Sequence, residues 1–202
     1  PAEGEAMTLV RSVPLALAVA LAACGGTREA VLPAAEPIVL EGVGFATPES
    51  VLHDPLQDVY FVSNINGSPL ADDDNGFISV VSPEGQVVAL KWVDGAADSV
   101  TLHAPKGMAV AGGLLYVTDI TTIRLFDRRT GAPRGEIPIP GATFLNDIAA
   151  TDEGVLYVTD TGFRGGADGL EASGTDAVYR IFPSGPIDTL AMGTERGNPN
   201  GI

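Results

Sequence analysis

The sequence predicts an all-β chain, a β-propeller of four-stranded blades, and three observations carry that expectation. Unit starts fall at Glu49, Lys106, Asn146 and Asn200, in steps of 57, 40 and 54 residues, within the range of propeller blades. Each unit then carries a run of the form aromatic-Val-Ser/Thr-Asn/Asp, seen in Tyr60-Phe61-Val62-Ser63-Asn64, Tyr116-Val117-Thr118-Asp119 and Tyr157-Val158-Thr159-Asp160. The 202 residues combine 45% hydrophobic side chains with 25 Gly and 15 Pro, enough to build a core while turning often, which favours strands over helices.

The N-terminal stretch reads as a targeting segment. Met7 is the expected start, which leaves residues 1–6 untranslated; Arg11 supplies a positive flank, and Val13 to Ala23 is apolar but too short to span a bilayer. Residues 7–23 are therefore a signal peptide ending in Leu21-Ala22-Ala23-Cys24-Gly25, which resembles a bacterial lipobox. Cys24, the single cysteine, cannot form an internal disulfide, and lipidation accounts for its presence. Export follows, with a lipid anchor as the membrane contact and outer-membrane or periplasmic placement in a Gram-negative host. Residues 24–37 read as a tether, and residues 38–202 as a partial propeller domain.

Within a unit the elements run in a fixed order. A polar stop precedes a short apolar strand (Gly107 to Val110; Asp147 to Ala150), a Gly-containing turn (Gly112-Gly113; Asp152-Glu153-Gly154) and the aromatic strand. A third strand follows (Phe77 to Val81; Ile123 to Phe126; Ala177 to Phe182). After another Gly turn comes a fourth (Val87 to Leu90; Gly135 to Ile139; Ile187 to Ala191). No stretch after residue 30 sustains a helical period with caps, so no long helix is expected. The sequence stops where earlier units start their first strand, which predicts a truncated frame of about three and a half blades, with open sheet faces prone to aggregation.

Lys and Arg number 11 against 26 Asp and Glu, a net charge of -15. That balance argues against nucleic acid, whose phosphates draw affinity from clustered cations. It agrees with a cation or a neutral small molecule.

Residues just before the first strand of a propeller blade point at the central channel, so Glu49, Asn146 and Asn200 can meet near the axis although distant in sequence. A carboxylate and two amide oxygens, with no adjacent His or Cys, suit calcium or another hard divalent cation. The competing structural role is turn capping through side-chain to backbone hydrogen bonds. Lys106 stands at the equivalent place in the second unit. It either binds a substrate anion or neutralises Glu49 or an Asp in place of a metal.

Pro48-Glu49-Ser50 before the first strand, Asn146-Asp147 in the third unit and Pro199-Asn200-Gly201-Ile202 at the fourth resemble the gluconolactonase, senescence-marker-protein and luciferin-regenerating-enzyme family over residues 40–202. The resemblance implies a six-bladed propeller with a divalent cation, Ca²⁺ or another, in its channel. It implies metal ligation by Glu49 and Asn200, and either ligation or substrate binding by Asn146. Asp147 becomes a candidate catalytic residue beside them, and a further Asp of the family site falls beyond Ile202. The activity implied is metal-dependent hydrolysis of a small lactone or related ester. Two rivals are a non-catalytic NHL-like scaffold binding a protein or a cell-envelope glycan, and a strictosidine-synthase-like propeller, which would lack the metal.

Other motifs carry less. In Asp72-Asp73-Asp74-Asn75-Gly76, aligning Gly76 with the sixth position of an EF-hand loop puts Leu70 where the first Asp ligand belongs, so an exposed hairpin tip is expected. His53 and His103 lack a nucleophile motif and read as hydrogen-bonded surface groups. Gly162 to Gly174 lacks a P-loop ending and reads as a long surface loop, a potential lip over the channel.

Overall fold

The computed structural model describes residues 37–193 and 197–202; Cys24, the signal peptide and the tether up to residue 36 lie outside them. All elements among the described residues are strands. β1 (Pro48–Asp54), β2 (Val59–Asn64), β3 (Phe77–Val81) and β4 (Val87–Asp94) form one antiparallel sheet in sequence order. β5 (Pro105–Ala111), β6 (Leu114–Asp119), β7 (Thr122–Asp127) and β8 (Pro133–Pro138) form a second. In the third, β9 (Leu145–Ala150) and β10 (Leu156–Asp160) are followed by a separate hairpin, β11 (Phe163–Gly166) with β12 (Gly169–Ala172). The sheet then resumes with β13 (Ala177–Ile181) and β14 (Ile187–Met192). The first strands lie side by side, β5 between β1 and β9, so the sheets are three successive propeller blades.

The sequence forces this stacking because each sheet is apolar on both faces. All five residues of β3, Phe-Ile-Ser-Val-Val, are buried, as in sheets covered on both sides. Phe61, Ile78, Val80 and Val93 of the first blade interlock with Met108, Leu115, Val117 and Phe126 of the second. Ala109 and Ile123 of the second meet Leu145, Ile148, Leu156 and Val158 of the third. The outer strand β8 is almost wholly exposed and carries Pro133, Arg134, Glu136 and Pro138, residues that blunt an edge against further pairing.

The repeated tetrad gains its meaning from the register. Pro48 pairs with Asn64, Pro105 with Asp119 and Leu145 with Asp160, and in each case regular pairing resumes only three residues on, at Val51, Met108 and Ile148. Two residues of each inner strand thus bulge opposite one hydroxyl, Ser63, Thr118 or Thr159. The adjacent side chain, Asn64, Asp119 or Asp160, is buried and takes backbone N–H groups from the loop leading into its own inner strand. Asn64 accepts from Ala46 N at 3.0 Å. Asp119 accepts from Ala104 N at 2.8 Å and from His103 N at 3.2 Å. Asp160 accepts from Thr143 N at 3.0 Å, Phe144 N at 2.9 Å and Gly162 N at 2.8 Å. The hydroxyls reach onward: Thr118 Oγ1 donates to Asn146 O at 2.7 Å and Thr159 Oγ1 to Asn200 O at 2.9 Å.

The opposite end of the blades is fastened by a buried ion pair. Asp54, at the end of β1, receives Arg128 Nε at 2.7 Å and a second guanidinium hydrogen bond, and Gln57 Nε2 bridges Asp54 Oδ2 and Arg128 O, each at 2.8 Å. Burial pushes the Asp54 carboxyl up, but the bonds from Arg128, Gln57 and the amides of Leu56 and Gln57 outweigh it and hold the group well below the usual carboxylate range.

Two expectations are corrected. The polar stops do not precede the inner strands: Lys106 and Asn146 are the second residues of β5 and β9, because the bulge lets a polar side chain sit inside the ladder. Gly162 to Gly174 is not an irregular loop, since Phe163 pairs with Ala172 and Gly166 with Gly169 in a hairpin. Phe163 meets Phe144 edge-on at 5.8 Å.

Asp160→Ala strands three backbone donors, two of them buried, and urea unfolding is expected to give a loss of about 2–4 kcal/mol. Asp160→Asn should recover a substantial part, because Asn64 performs the same task in the first blade; no difference between the two variants would contradict the clasp. Because the Asp54 pKa is lowered on folding, its stabilisation is complete above the unfolded carboxylate value of about 4 and disappears as pH falls below it. The urea midpoint of the parent should therefore drop more steeply below pH 5 than that of Asp54→Asn, and parallel pH profiles would refute the assignment.

Candidate functional site

The three bulges bring Glu49, Lys106 and Asn146 to the same register position on adjacent inner strands, with Ser50, Gly107 and Asp147 next to them. Because β5 lies between β1 and β9, Lys106 is flanked by the other two. Asn200 continues the series: the Thr159 bond to its carbonyl repeats the Thr118 bond to Asn146. Thr161 Oγ1 donates to Pro199 O at 2.8 Å and Asn198 Nδ2 to Thr161 O at 2.7 Å, which seats this segment beside the third blade.

Lys106 is only 1% exposed. Its Nζ donates to Ala104 O at 3.0 Å and lies 4.5 Å from the centre of the Phe144 ring, a cation–π contact. Burial lowers its pKa to about 8, against the opposing pull of Asp119 and Glu49. Glu49 retains an open surface, yet burial of its carboxyl raises its pKa; Lys106 pulls it back down and Asp147 pushes it further up. These mutual influences place Glu49, Lys106 and Asp147 in one electrostatic cluster.

The amide ends are oriented by the fold. Asn146 is buried and its Nδ2 donates to Thr161 Oγ1 at 3.0 Å, so its side-chain oxygen is the end left for a ligand. Asp147 accepts from Ile148 N at 2.8 Å on Oδ1 and from Ile202 N at 3.0 Å on Oδ2, while its own N–H donates to Thr159 Oγ1 at 3.0 Å. Asn200 is exposed and is fixed through its backbone. Glu49, Lys106, Asn146 and Asp147 thus share one patch with Asn200 beside Asp147, whereas Cys24 lies outside the described residues.

The donor set is oxygen-only, which suits a hard cation and not zinc. Among the described residues no three His, Cys, Asp or Glu side chains cluster closely enough to hold a metal by themselves, so any cation here depends on the amide oxygens. Phe144, which covers the Lys106 ammonium, and Thr161, which turns Asn146, have no motif in the sequence; only the fold reveals them. The Ser63, Thr118 and Thr159 hydroxyls were visible as a repeat, and the bonds of Thr118 and Thr159 to the segment that follows required the register.

The remaining polar motifs settle elsewhere. His103 Nε2 lies 2.8 Å from Asp72 Oδ1, and its Nδ1 accepts from Asp74 N at 3.1 Å, so the acidic loop is the exposed β2–β3 tip expected from the sequence and is also tied to the segment leading into the second blade. His53 contacts Asp58 at 3.2 Å on the surface.

No protein-family model and no curated protein matches the chain. Among solved structures, the chain is similar to regucalcin from Agrobacterium tumefaciens, described as a calcium-binding protein, at 17% identity and a TM-score of 0.45. The match covers 71% of this chain and 44% of regucalcin, so the chain spans less than half of that protein's length.

Gly107 is the close-approach point between the second and third blades. A Cβ there would lie 2.5 Å from Asp147 Cα and Oδ1 and 2.7 Å from Asn146 O, and most of that obstruction is backbone. Gly107→Ala is expected to destabilise the protein by about 1–3 kcal/mol through overpacking. Thermal unfolding checks this, and an unchanged midpoint would mean that the two strands are not held at this distance.

Proposed function

We propose that this propeller binds a divalent cation, Ca²⁺ or another hard ion, on the channel face and hydrolyses a small lactone or related ester there. The observation that carries this reading is the recurrence of side-chain oxygens at one register position, Glu49 and Asn146, continued by Asn200 through the same hydroxyl bond. Glu49, Asn146 and Asn200 would hold the ion, and their chemistry fits it. When bound, the ion supplies polarisation of an ester carbonyl and stabilisation of the oxyanion.

The residues of the chain do the rest. Asp147, its carboxylate oriented by two backbone N–H donors, keeps lone pairs for a proton or for a substrate hydroxyl. Asn146 presents its amide oxygen, and Lys106 is a positive group close enough to act on Glu49. We further propose that the protein is exported and lipid-anchored at Cys24, which makes that lipid its membrane contact and leaves the propeller facing a compartment open to small substrates.

One observation favours the rival, a non-catalytic scaffold for a protein or glycan. The buried Lys106 ammonium gives Glu49 an internal counter-ion, and a positive charge at this spot opposes a metal.

Calorimetric titration of the full chain with Ca²⁺ separates the two. Binding in the parent, its loss in Asn200→Ala and Glu49→Gln, and tighter binding in Lys106→Met are expected, with lactone hydrolysis falling in step with occupancy. Absence of heat in both the parent and Lys106→Met would sink the metal-hydrolase reading and leave the scaffold.

A further inference from the structure

At the other end of the blades, away from Glu49 and Lys106, the junction of the first two sheets holds an open cavity of about 220 Å³. Its position follows from the Asp54–Arg128 pair, which draws the turn after β7 against the outer part of the first blade. Gly131 of that turn lies flat on Trp92: a Cβ there would meet Trp92 Cε2 at 3.2 Å and Val93 Cγ2 at 3.1 Å. The floor is apolar, made by Val59, Phe61, Val80 and Trp92, with the Phe61 and Trp92 rings stacked at 5.0 Å. Val88 on the wall is 65% exposed, an apolar surface that the fold leaves uncovered.

The rim carries two polar side chains, Gln57 and Arg129. Gln57 spends both amide hydrogens on Asp54 and Arg128, so it offers only an acceptor oxygen. Arg129 is exposed and has no ion-pair partner among the described residues. Its neighbours are committed: Arg124 to Asp119 and Glu136, Arg128 to Asp54, and Arg134 to Asp127. In a chain with 26 acidic residues against 11 basic ones, Arg129, without an ion-pair partner among the described residues, is the one basic residue lining an otherwise mostly apolar slot. A planar fork of donors on the rim of a cavity floored by stacked aromatic rings matches a carboxylate on an apolar body.

We propose that this cavity is a binding site for a small apolar carboxylate, with the hydrophobic part against Trp92 and Phe61 and the acid on Arg129. It is separate from the channel-face site and does not depend on the metal reading.

Trp92 is the single tryptophan of the chain, so its fluorescence reports occupancy directly. The probes are 4-phenylbutyrate and its uncharged counterpart 4-phenylbutanol, titrated into the full chain and into Arg129→Gln, a surface substitution whose folding is checked by circular dichroism. Saturable fluorescence change with the acid is expected, weakened about tenfold or more in Arg129→Gln, with the alcohol binding equally weakly to both proteins. Equal affinity for acid and alcohol, an acid titration unaffected by Arg129→Gln, or no response to the acid would each overturn the proposal.

Discussion

A buried side-chain oxygen that cannot reach water must find its donors within the chain, and Asn64, Asp119 and Asp160 find theirs in the loops that lead into the inner strands of their own blades. Everything else in the molecule depends on that clasp. It fixes where each inner strand starts and, with the bulge beside it, which side chains face the channel. A donor left unmade in such a place costs about 1–3 kcal/mol, so the choice of Asn or Asp at the end of the second strand is tightly constrained. The hydroxyl one residue earlier then passes the constraint to the next blade, from Thr118 to Asn146 and from Thr159 to Asn200.

The site is a by-product of this scaffold geometry. A bulge opposite a hydroxyl frees two residues of each inner strand from ladder pairing, and the first of the two differs from blade to blade: Glu49, Lys106 and Asn146. The second blade uses the freedom differently from its neighbours. Where Glu49 and Asn146 present oxygen atoms, Lys106 turns its ammonium onto Ala104 O and the Phe144 ring. Its burial is tolerated because Asp119 and Glu49 lie close enough to favour the charge. The same Asp119 that clasps the loop also receives Arg124 Nε at 2.9 Å, so clasp, charge and channel share a carboxylate.

The distribution of basic residues follows a related logic. In a chain of net charge -15, arginines are placed where a blade must be pinned, as Arg128 is on Asp54 across the first interface. Arg124 and Arg134 pair with acids on or beside the outer strand β8. Arg129 alone among these neighbours has no ion-pair partner among the described residues, and it lines the apolar cavity.

Much of the fold was legible in the sequence because blade periodicity, alternating apolar strands and Gly turns are local properties. The tetrad ending in Ser/Thr-Asn/Asp marked every second strand, and the equivalence of Glu49, Lys106 and Asn146 could be read from their place in the order of motifs within each unit. The sequence by itself thus determined an all-β repeat, its strand order and the residues that share a register position. It did not determine the bulge, which made Lys106 and Asn146 appear to precede their strands, nor the hairpin from Phe163 to Ala172, whose glycines look like loop. Tertiary structure alone decided that Lys106 is covered by Phe144, that Thr161 orients Asn146, and that Asp54 meets Arg128. Each of these is a contact between residues well apart in the chain, set by how neighbouring sheets stack or, for Thr161 and Asn146, by how the strands of one blade lie beside each other, and no local pattern encodes it.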